Sequence, residues 1–200
     1  KKPKILYTSS GAVYGRNFKK IKFTEKNKID LKKIKIMSGY KKNYALEKIC
    51  IENRFKELSK LNTNISIARC FNFVGKYILD SDQAIGDMIK SAQHMSAIKL
   101  QTRINIFRGY MNTDDLANWL ITIVKKSNTN CPIYNVGSDK QINLLLLGKK
   151  IAKIFQKNLK FKKINNKKID YYVPSINKAK KLLNLKISIN LNDSLNSFIK

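Results

Sequence analysis

Short apolar segments with the spacing of β-strands alternate along this chain with longer segments of helical periodicity. Strands are predicted over residues 4–8, 65–69, 104–107 and 133–136. Helices are predicted over residues 43–60, 84–96, 114–125, 144–155, 177–183 and 191–199, and loops over residues 16–43 and 70–75. Strands that alternate with helices favour an α/β architecture with a mostly parallel sheet.

The charge is extreme: 41 lysine and arginine residues stand against 13 aspartate and glutamate residues, a formal net charge of +28. Such an excess is typical of proteins that bind nucleic acid. Here, however, 36 of the 41 basic residues are lysines, and they are spread over the whole chain. Arginine usually dominates the recognition of phosphates and bases. We therefore interpret the charge as solvated surface lysine, and a non-catalytic protein that binds nucleic acid remains the alternative of another class.

The cysteines and the single histidine exclude several other classes. Cys50, Cys70 and Cys131 are far apart and His94 stands alone, so no zinc site and no metal cofactor is predicted. Isolated thiols are typical of a reducing compartment, which favours a cytoplasmic location. No apolar run is long enough to span a membrane, and no membrane partner is expected.

Tyr44 and Lys48 lie four residues apart in a predicted helix and therefore share one helix face. The ammonium group of Lys48 favours the phenolate form of Tyr44, so this side chain can take a proton from a hydroxyl group. Ser10 follows a predicted strand, at the edge where ligands of α/β sheets bind, and its hydroxyl can bond the same substrate oxygen. A nicotinamide-dependent enzyme needs these three groups to move a proton while a hydride leaves a carbinol carbon.

The eight glycines are isolated from one another, and none of them forms a glycine-rich turn between a strand and a helix. Such a turn binds the pyrophosphate of a dinucleotide. Half of a dinucleotide-binding domain is therefore missing from these 200 residues. We expect the isolated chain to bind NAD weakly or not at all.

Several further segments follow one another in a fixed order around this trio. They are TSSGAVYG at 8–15, YALEK at 44–48, RCFN at 69–72, RGYMNTDDLA at 108–117, YNVG at 134–137 and PSINKA at 174–179. In this order they resemble the extended short-chain dehydrogenase/reductase family, specifically its NAD-dependent nucleotide-sugar epimerases and dehydratases. The resemblance covers nearly the whole chain.

The resemblance implies a catalytic role for Ser10, Tyr44 and Lys48. Ser10 matches the serine that assists catalysis, Tyr44 matches the base, and Lys48 matches its lysine partner. The implied epimerase reaction is a transient oxidation at C4 of the sugar, in which the tyrosine takes the hydroxyl proton and NAD takes the hydride. The keto sugar then rotates and the hydride returns to its other face.

The resemblance also implies binding residues. Ser9 and Cys70 would contact the cofactor, NAD or NADP, together with the catalytic tyrosine and lysine. Asn72 and Arg108 would bind the diphosphate of a nucleotide-diphosphate sugar, next to the serine that holds the sugar. Asp115 is expected to cap a helix rather than to bind a ligand.

Two departures from the family pattern limit the assignment. Dehydratases carry Asp-Glu directly after the catalytic serine or threonine, but this chain has Gly11 and Ala12, which favours an epimerase or an NAD(P)H-dependent keto-sugar reductase. A late arginine that often binds the diphosphate is also absent, because residues 162–168 contain lysine and asparagine instead. Reductase and dehydratase remain alternatives within the family.

The resemblance implies a partial Rossmann-like parallel sheet, without its glycine-rich N-terminal half, and a small C-terminal substrate-binding subdomain. Residues 1–75 would belong to the NAD-binding domain. Residues 76–200 would form mainly the substrate-binding subdomain, with a strand and a helix near 110–137 returning to the first domain. A homodimer is expected for the full-length protein. In the isolated chain the apolar face of the Tyr44 helix would be exposed, which predicts poor solubility.

Overall fold

The computed structural model of the protein describes residues 2–75 and 83–199. Its strands are Lys4–Ser10 (β1), Asn64–Cys70 (β2), Asn72–Val74 (β3), Ala97–Leu100 (β4), Ile104–Asn112 (β5), Ile133–Val136 (β6), Gln141–Asn143 (β7), Asn158–Phe161 (β8) and Asn165–Tyr172 (β9). The domain boundary predicted after residue 75 falls at the start of residues 76–82, which lie outside the described residues.

The helices of the described residues include one short 3-10 turn, Gly11–Tyr14, directly after β1. The α-helices are Leu31–Lys35 (α1), Gly39–Lys60 (α2), Ala84–His94 (α3), Thr113–Lys125 (α4), Leu144–Ile154 (α5), Asn177–Leu183 (α6) and Leu191–Asn196 (α7). Asn side chains that precede α4, α5 and α7 accept hydrogen bonds from backbone N–H groups of the first turn, which satisfies donors that have no partner within the helix.

β1, β2 and β6 form a parallel sheet with β2 in the middle. Alternate side chains of this sheet face opposite ways: Ile65 and Ile67 pack with Phe55 of α2, whereas Ala68 packs with Trp119 of α4. Helices therefore cover both faces, as parallel sheets require. The strands end side by side, because Ser10 of β1 pairs with Cys70, and Cys70 pairs with Val136 of β6. This edge positions the candidate site.

The second sheet contains β3, β5, β7 and β9. β5 pairs with β3 and β9 in parallel and with β7 in antiparallel orientation. β4 and β8 form a separate parallel pair, and α3 and α5 pack with them in the largest apolar core. The prediction of an α/β fold with mostly parallel strands is confirmed.

Several sequence predictions about individual elements were wrong. The predicted loop 16–43 contains α1 and the first residues of α2, and the predicted loop 70–75 contains β3. β5 continues to Asn112 rather than ending at residue 107, because its second half pairs with β3. β4, β7, β8 and β9 were not predicted, since they are short or polar and are held by pairing with strands distant in sequence.

Only part of the apolar surface of α2 is exposed, because Ile49 and Phe55 pack against neighbouring clusters. Tyr40 is 77% exposed and Leu61, the residue after α2, is 76% exposed, and Leu46, Ile51 and Leu58 are also exposed. The helix instead buries Ala45, Glu52 and Ser59 against the sheet. Within residues 2–75 and 83–199, no helix is long and apolar enough to cross a membrane.

Candidate functional site

Tyr44 and Lys48 lie on α2 beside the C-terminal end of β1. The Lys48 Nζ donates a hydrogen bond to the backbone oxygen of Thr8 at 3.0 Å and lies 5.6 Å from the centre of the Tyr44 ring. Both side chains are half-buried. The Lys48 ammonium group is therefore held next to the Tyr44 phenol, and it contacts β1 at Thr8, two residues before Ser10. The sequence predicted that Tyr44 and Lys48 share one face of the helix.

Ser10 ends β1 and caps the 3-10 turn, where its Oγ accepts a hydrogen bond from the backbone N–H of Ala12 at 3.1 Å. The Tyr172 phenol lies beside Ser10. Burial raises the pKa of the Tyr172 phenol, and the neighbouring Ser10 hydroxyl opposes this shift only in part, so the phenol is neutral at physiological pH.

Tyr172 was missed by the sequence reasoning. It is the last residue of β9, and it reaches Ser10 only because β9 pairs with β5. Its ring packs on Phe71, 4.6 Å between centres. Because no spacing rule connects two residues so distant in the chain, the sequence contains no signal for this contact.

Gly11 lies between these aromatic side chains. A Cβ atom at Gly11 would lie 2.6 Å from the Phe71 Cζ and 2.6 Å from the Tyr172 hydroxyl oxygen. Real Cβ atoms do not approach other atoms so closely, so any larger side chain at this position would displace one of the two rings. An aspartate at this position, where dehydratases carry one, would require one of these rings to move.

Ser9 points away from this edge and into a buried polar network. Its Oγ donates to the Glu52 Oε1 at 2.6 Å, and the same carboxylate accepts from the Arg69 Nε at 2.9 Å and the Arg69 Nη2 at 2.6 Å. The Ser9 hydroxyl is thus occupied by Glu52, and its proposed contact with a cofactor stays a prediction. The sequence reasoning missed Glu52 and Arg69 as neighbours of the site.

Cys70 ends β2 next to Ser10. Burial raises the pKa of its thiol to about 12, and the nearby charge of Lys48 opposes this only in part. The side chain is therefore an uncharged thiol at physiological pH and fits a packing or contact role rather than that of a nucleophile.

Asn72 begins β3 and pairs with Tyr110 of β5. Its side-chain Nδ2 is buried and has no hydrogen-bond partner among the residues that the structure describes. A buried amide without a partner costs free energy, about 1–3 kcal/mol. The diphosphate-binding role predicted for Asn72 would give this donor a partner, and that role stays a prediction.

Arg108 is held by Asp170 of β9. The Arg108 Nη1 donates to the Asp170 Oδ1 at 3.1 Å and to the backbone oxygen of Phe107 at 2.9 Å. The guanidinium carbon lies 5.6 Å from the centre of the Tyr172 ring. Arg108 is thus connected to Ser10 through a single tyrosine side chain.

Asp115 does not cap α4, so that expectation was wrong. Asn112 is the cap, since its Oδ1 accepts from the backbone N–H of Asp114 at 2.8 Å. The buried Asp115 carboxylate instead accepts from the backbone N–H groups of Ser188 and Ile189, each at about 3.0 Å, and so anchors the C-terminal segment. In the described ranges, no group of three or more His, Cys, Asp or Glu side chains is arranged to hold a metal ion.

A profile described as the NAD dependent epimerase/dehydratase family matches residues 1–137. The chain belongs to this family. Its members are NAD-dependent, as the description of the family states. A search of curated proteins finds no significant match to this chain.

Solved structures of similar fold include several enzymes that act on nucleotide sugars. The dTDP-glucose 4,6-dehydratase of Bacillus anthracis, in complex with NAD, is 16% identical to this chain with a TM-score of 0.78, and the alignment covers 98% of this chain and 60% of the dehydratase chain. The UDP-glucose 4-epimerase of Thermotoga maritima, with UDP-glucose, is 16% identical with a TM-score of 0.79, and the alignment covers 98% of this chain and 62% of the epimerase chain. The UDP-N-acetylglucosamine 4-epimerase of Bacillus cereus is 18% identical with a TM-score of 0.76, and the alignment covers 98% of this chain and 62% of that epimerase chain.

These similarities confirm the predicted Rossmann-like fold of an epimerase/dehydratase. They also show that the chain spans only about 60% of the length of the first of these solved structures. At such identities the similarity concerns the fold, and the roles of individual residues stay predictions.

Proposed function

We propose that this chain is the catalytic and substrate-binding part of an NAD-dependent nucleotide-sugar epimerase that acts by transient oxidation at C4. The observation that carries the proposal is the contact between the Lys48 ammonium and Thr8. Through this contact Lys48, one helical turn after Tyr44, lies at the end of β1 that leads into Ser10. Residues 1–75, with the strand and helix near 110–137, would form the cofactor side of the site. The rest of the chain would form the substrate side.

In this proposal Tyr44 accepts the proton of the C4 hydroxyl, and the nearby Lys48 ammonium stabilises the phenolate. Ser10, beside Tyr172, bonds the same sugar oxygen and steadies the charge that develops on it. The amide of Asn72 donates to the diphosphate. Bound NAD would supply the hydride acceptor, and the proton returns from Tyr44 to the sugar oxygen when the hydride returns.

Gly11 supports an epimerase or a reductase over a dehydratase. Loss of water across C5–C6 needs an acid and a base in addition to the C4 machinery, and the family places them directly after the catalytic serine or threonine. Phe71 and Tyr172 approach Gly11 so closely that a carboxylate side chain there would require one of these rings to move. The neighbouring Ala12 offers no titratable group.

The residues of this chain fit one end of NAD and not the other. Tyr44 and Lys48 are half-exposed at the carboxyl ends of parallel strands, where a nicotinamide ribose would bind, and Lys48 offers the donor for it. The 200 residues contain no glycine-rich turn for the pyrophosphate. A cofactor would therefore be held only at its nicotinamide end.

We expect the isolated chain to bind NAD weakly or not at all, as measured by titration calorimetry. The coding sequence upstream of Lys1 provides the control: a frame that encodes a strand followed by G-x-x-G-x-x-G should restore binding when expressed with the chain. A dissociation constant in the low micromolar range for the isolated chain would contradict this expectation.

Product analysis tests the proposed reaction. The chain, extended by such an upstream half, is incubated with NAD and UDP- or dTDP-linked hexoses. We expect a sugar inverted at C4 with no net change in the absorbance of reduced nicotinamide, because the hydride returns to the same sugar. Stoichiometric consumption of NADPH with a reduced sugar would replace the epimerase by a keto-sugar reductase.

The exposed apolar residues of α2 support a homodimer, or packing against the missing half, in the extended protein. A cytoplasmic location is proposed from the free cysteines. The high lysine content is interpreted as solvated surface, so nucleic acid is not a proposed partner.

A further inference from the structure

Asp170 joins two arginines that come from distant parts of the chain. The Asp170 Oδ1 contacts the Arg108 Nη1 at 3.1 Å, and the Asp170 Oδ2 contacts the Arg16 Nη2 at 3.3 Å. Each carboxylate oxygen thus binds one guanidinium group. The two cations are held near each other although Arg16 follows the 3-10 turn and Arg108 lies in β5.

This cluster carries an excess of positive charge. Two guanidinium groups share a single carboxylate. The Lys20 ammonium lies 4.5 Å from the centre of the Phe107 ring, and Phe107 is the residue before Arg108. The Arg108 side chain is only 20% exposed. Holding an incompletely neutralised cation away from water costs free energy, and a bound anion would remove that cost.

Both guanidinium groups contact an aromatic ring in addition to Asp170. The Arg108 group lies over the Tyr172 ring, and the Arg16 group lies 5.2 Å from the centre of the Phe18 ring. The backbone of Arg16 is fixed as well, since its N–H donates to the Lys33 oxygen at 3.2 Å. A pre-positioned pair of this kind loses little side-chain entropy on binding.

The turn before Arg16 depends on a glycine. Gly15 has φ = +71°, a conformation that favours glycine. A Cβ atom there would also lie 2.7 Å from the Lys33 Cβ and 2.8 Å from the Lys33 carbonyl carbon. The sequence VYG-R therefore directs Arg16 toward Asp170 rather than leaving it on a free loop.

We infer that Arg16 is a second diphosphate-binding arginine, paired with Arg108 across Asp170. This inference rests on the proposed function and adds to it a residue that had no role in the sequence analysis. The spacing fits the substrate class: the Tyr172 hydroxyl lies at Gly11, the residue after Ser10, and Arg108 lies over the Tyr172 ring, so the anion site adjoins the sugar site. In a nucleotide sugar the diphosphate is attached directly to the sugar.

Arg16 can also replace a diphosphate-binding arginine that the family often has and this chain lacks. The family's late arginine is replaced here by the lysine- and asparagine-rich stretch 162–168. A guanidinium fork binds two phosphate oxygens at once, which a lysine ammonium does not do. An arginine that enters from the turn after β1 supplies that fork from the opposite side of Asp170.

The test measures binding of UDP and dTDP to this chain by titration calorimetry, with UMP as the monophosphate comparison. Arg16→Gln and Arg108→Gln should each weaken diphosphate binding about 10-fold, since each removes charge-assisted hydrogen bonds. UMP should be affected less. Arg103→Gln, at an exposed arginine outside the cluster, makes the same change in net charge and should leave binding unchanged.

Arg16→Lys keeps the charge and loses the fork, and it should show an intermediate loss, so the inference can be tested even if the glutamine variant folds poorly. Normal diphosphate binding by Arg16→Gln, together with weak binding by Arg108→Gln, would overturn the inference and leave the proposed function standing. An equal loss in Arg103→Gln would also overturn it, since general charge attraction would then explain the binding. No saturable binding by the unmodified chain would overturn both.

Discussion

Tyr44→Phe should reduce turnover roughly 100- to 10,000-fold in the chain extended by a glycine-rich nucleotide-binding half, because general base catalysis contributes about this much. The substitution removes one hydroxyl and keeps the ring, so Lys48 and its contact with Thr8 should remain. The Michaelis constant for the nucleotide sugar should change little, since the phenol is needed mainly in the transition state. The measurement is steady-state kinetics of C4 inversion with NAD present.

Tyr40 provides a matched control for this experiment. It lies one turn earlier on the same helix, its ring stacks against Tyr44 with centres 6.3 Å apart, and it is largely exposed. Tyr40→Phe should therefore leave turnover nearly unchanged. Near-normal turnover in Tyr44→Phe, with the control also normal, would contradict the role of Tyr44 as the base and with it the proposed mechanism.

The parts of the candidate site whose positions follow from the sequence are local in the chain. Tyr44 and Lys48 are separated by one helical turn, and a short strand leads directly into Ser10, so periodicity and strand-end rules apply. β1, β2 and β6 were predicted because they are apolar strands buried by helices on both faces. These features depend on interactions that a short window of sequence contains.

The parts that were missed depend on pairing between distant segments. β9 has the sequence NNKKIDYY, which shows no apolar alternation over its first half, and its position is set by pairing with β5. Asp170 and Tyr172 reach the site only through that strand. Likewise, the sequence analysis assigned no role to Glu52, and its burial follows from facing Arg69 on β2.

Glu52→Gln should destabilise the fold by about 3–5 kcal/mol, because it leaves the buried Arg69 guanidinium without a compensating charge. Glu52 is fully buried and its carboxylate binds both Arg69 and the Ser9 hydroxyl. Folded domains are stable by only about 5–15 kcal/mol in total, so the loss should be evident in a urea titration. The midpoint of unfolding, measured by circular dichroism, is the readout.

Glu57→Gln is the matched control, since it makes the same substitution on the same helix. Glu57 pairs with Lys60 at 2.8 Å, but its side chain is 71% exposed, and exposed pairs contribute little. Its unfolding midpoint should therefore match that of the unmodified chain. Equal midpoints for both variants would contradict the structural role of Glu52.

The double variant Glu52→Leu/Arg69→Met separates two explanations of the loss. If the cost comes from an uncompensated charge, removing both charges should recover much of the stability that Glu52→Gln loses, because apolar replacements of buried ion pairs are often tolerated. If it recovers none, the uncompensated charge is not the cause of the loss. Since Lys48 contacts β1 at Thr8 and Glu52 contacts it at Ser9, the outcome tells whether the charge of the buried ion pair contributes to holding α2 beside Ser10.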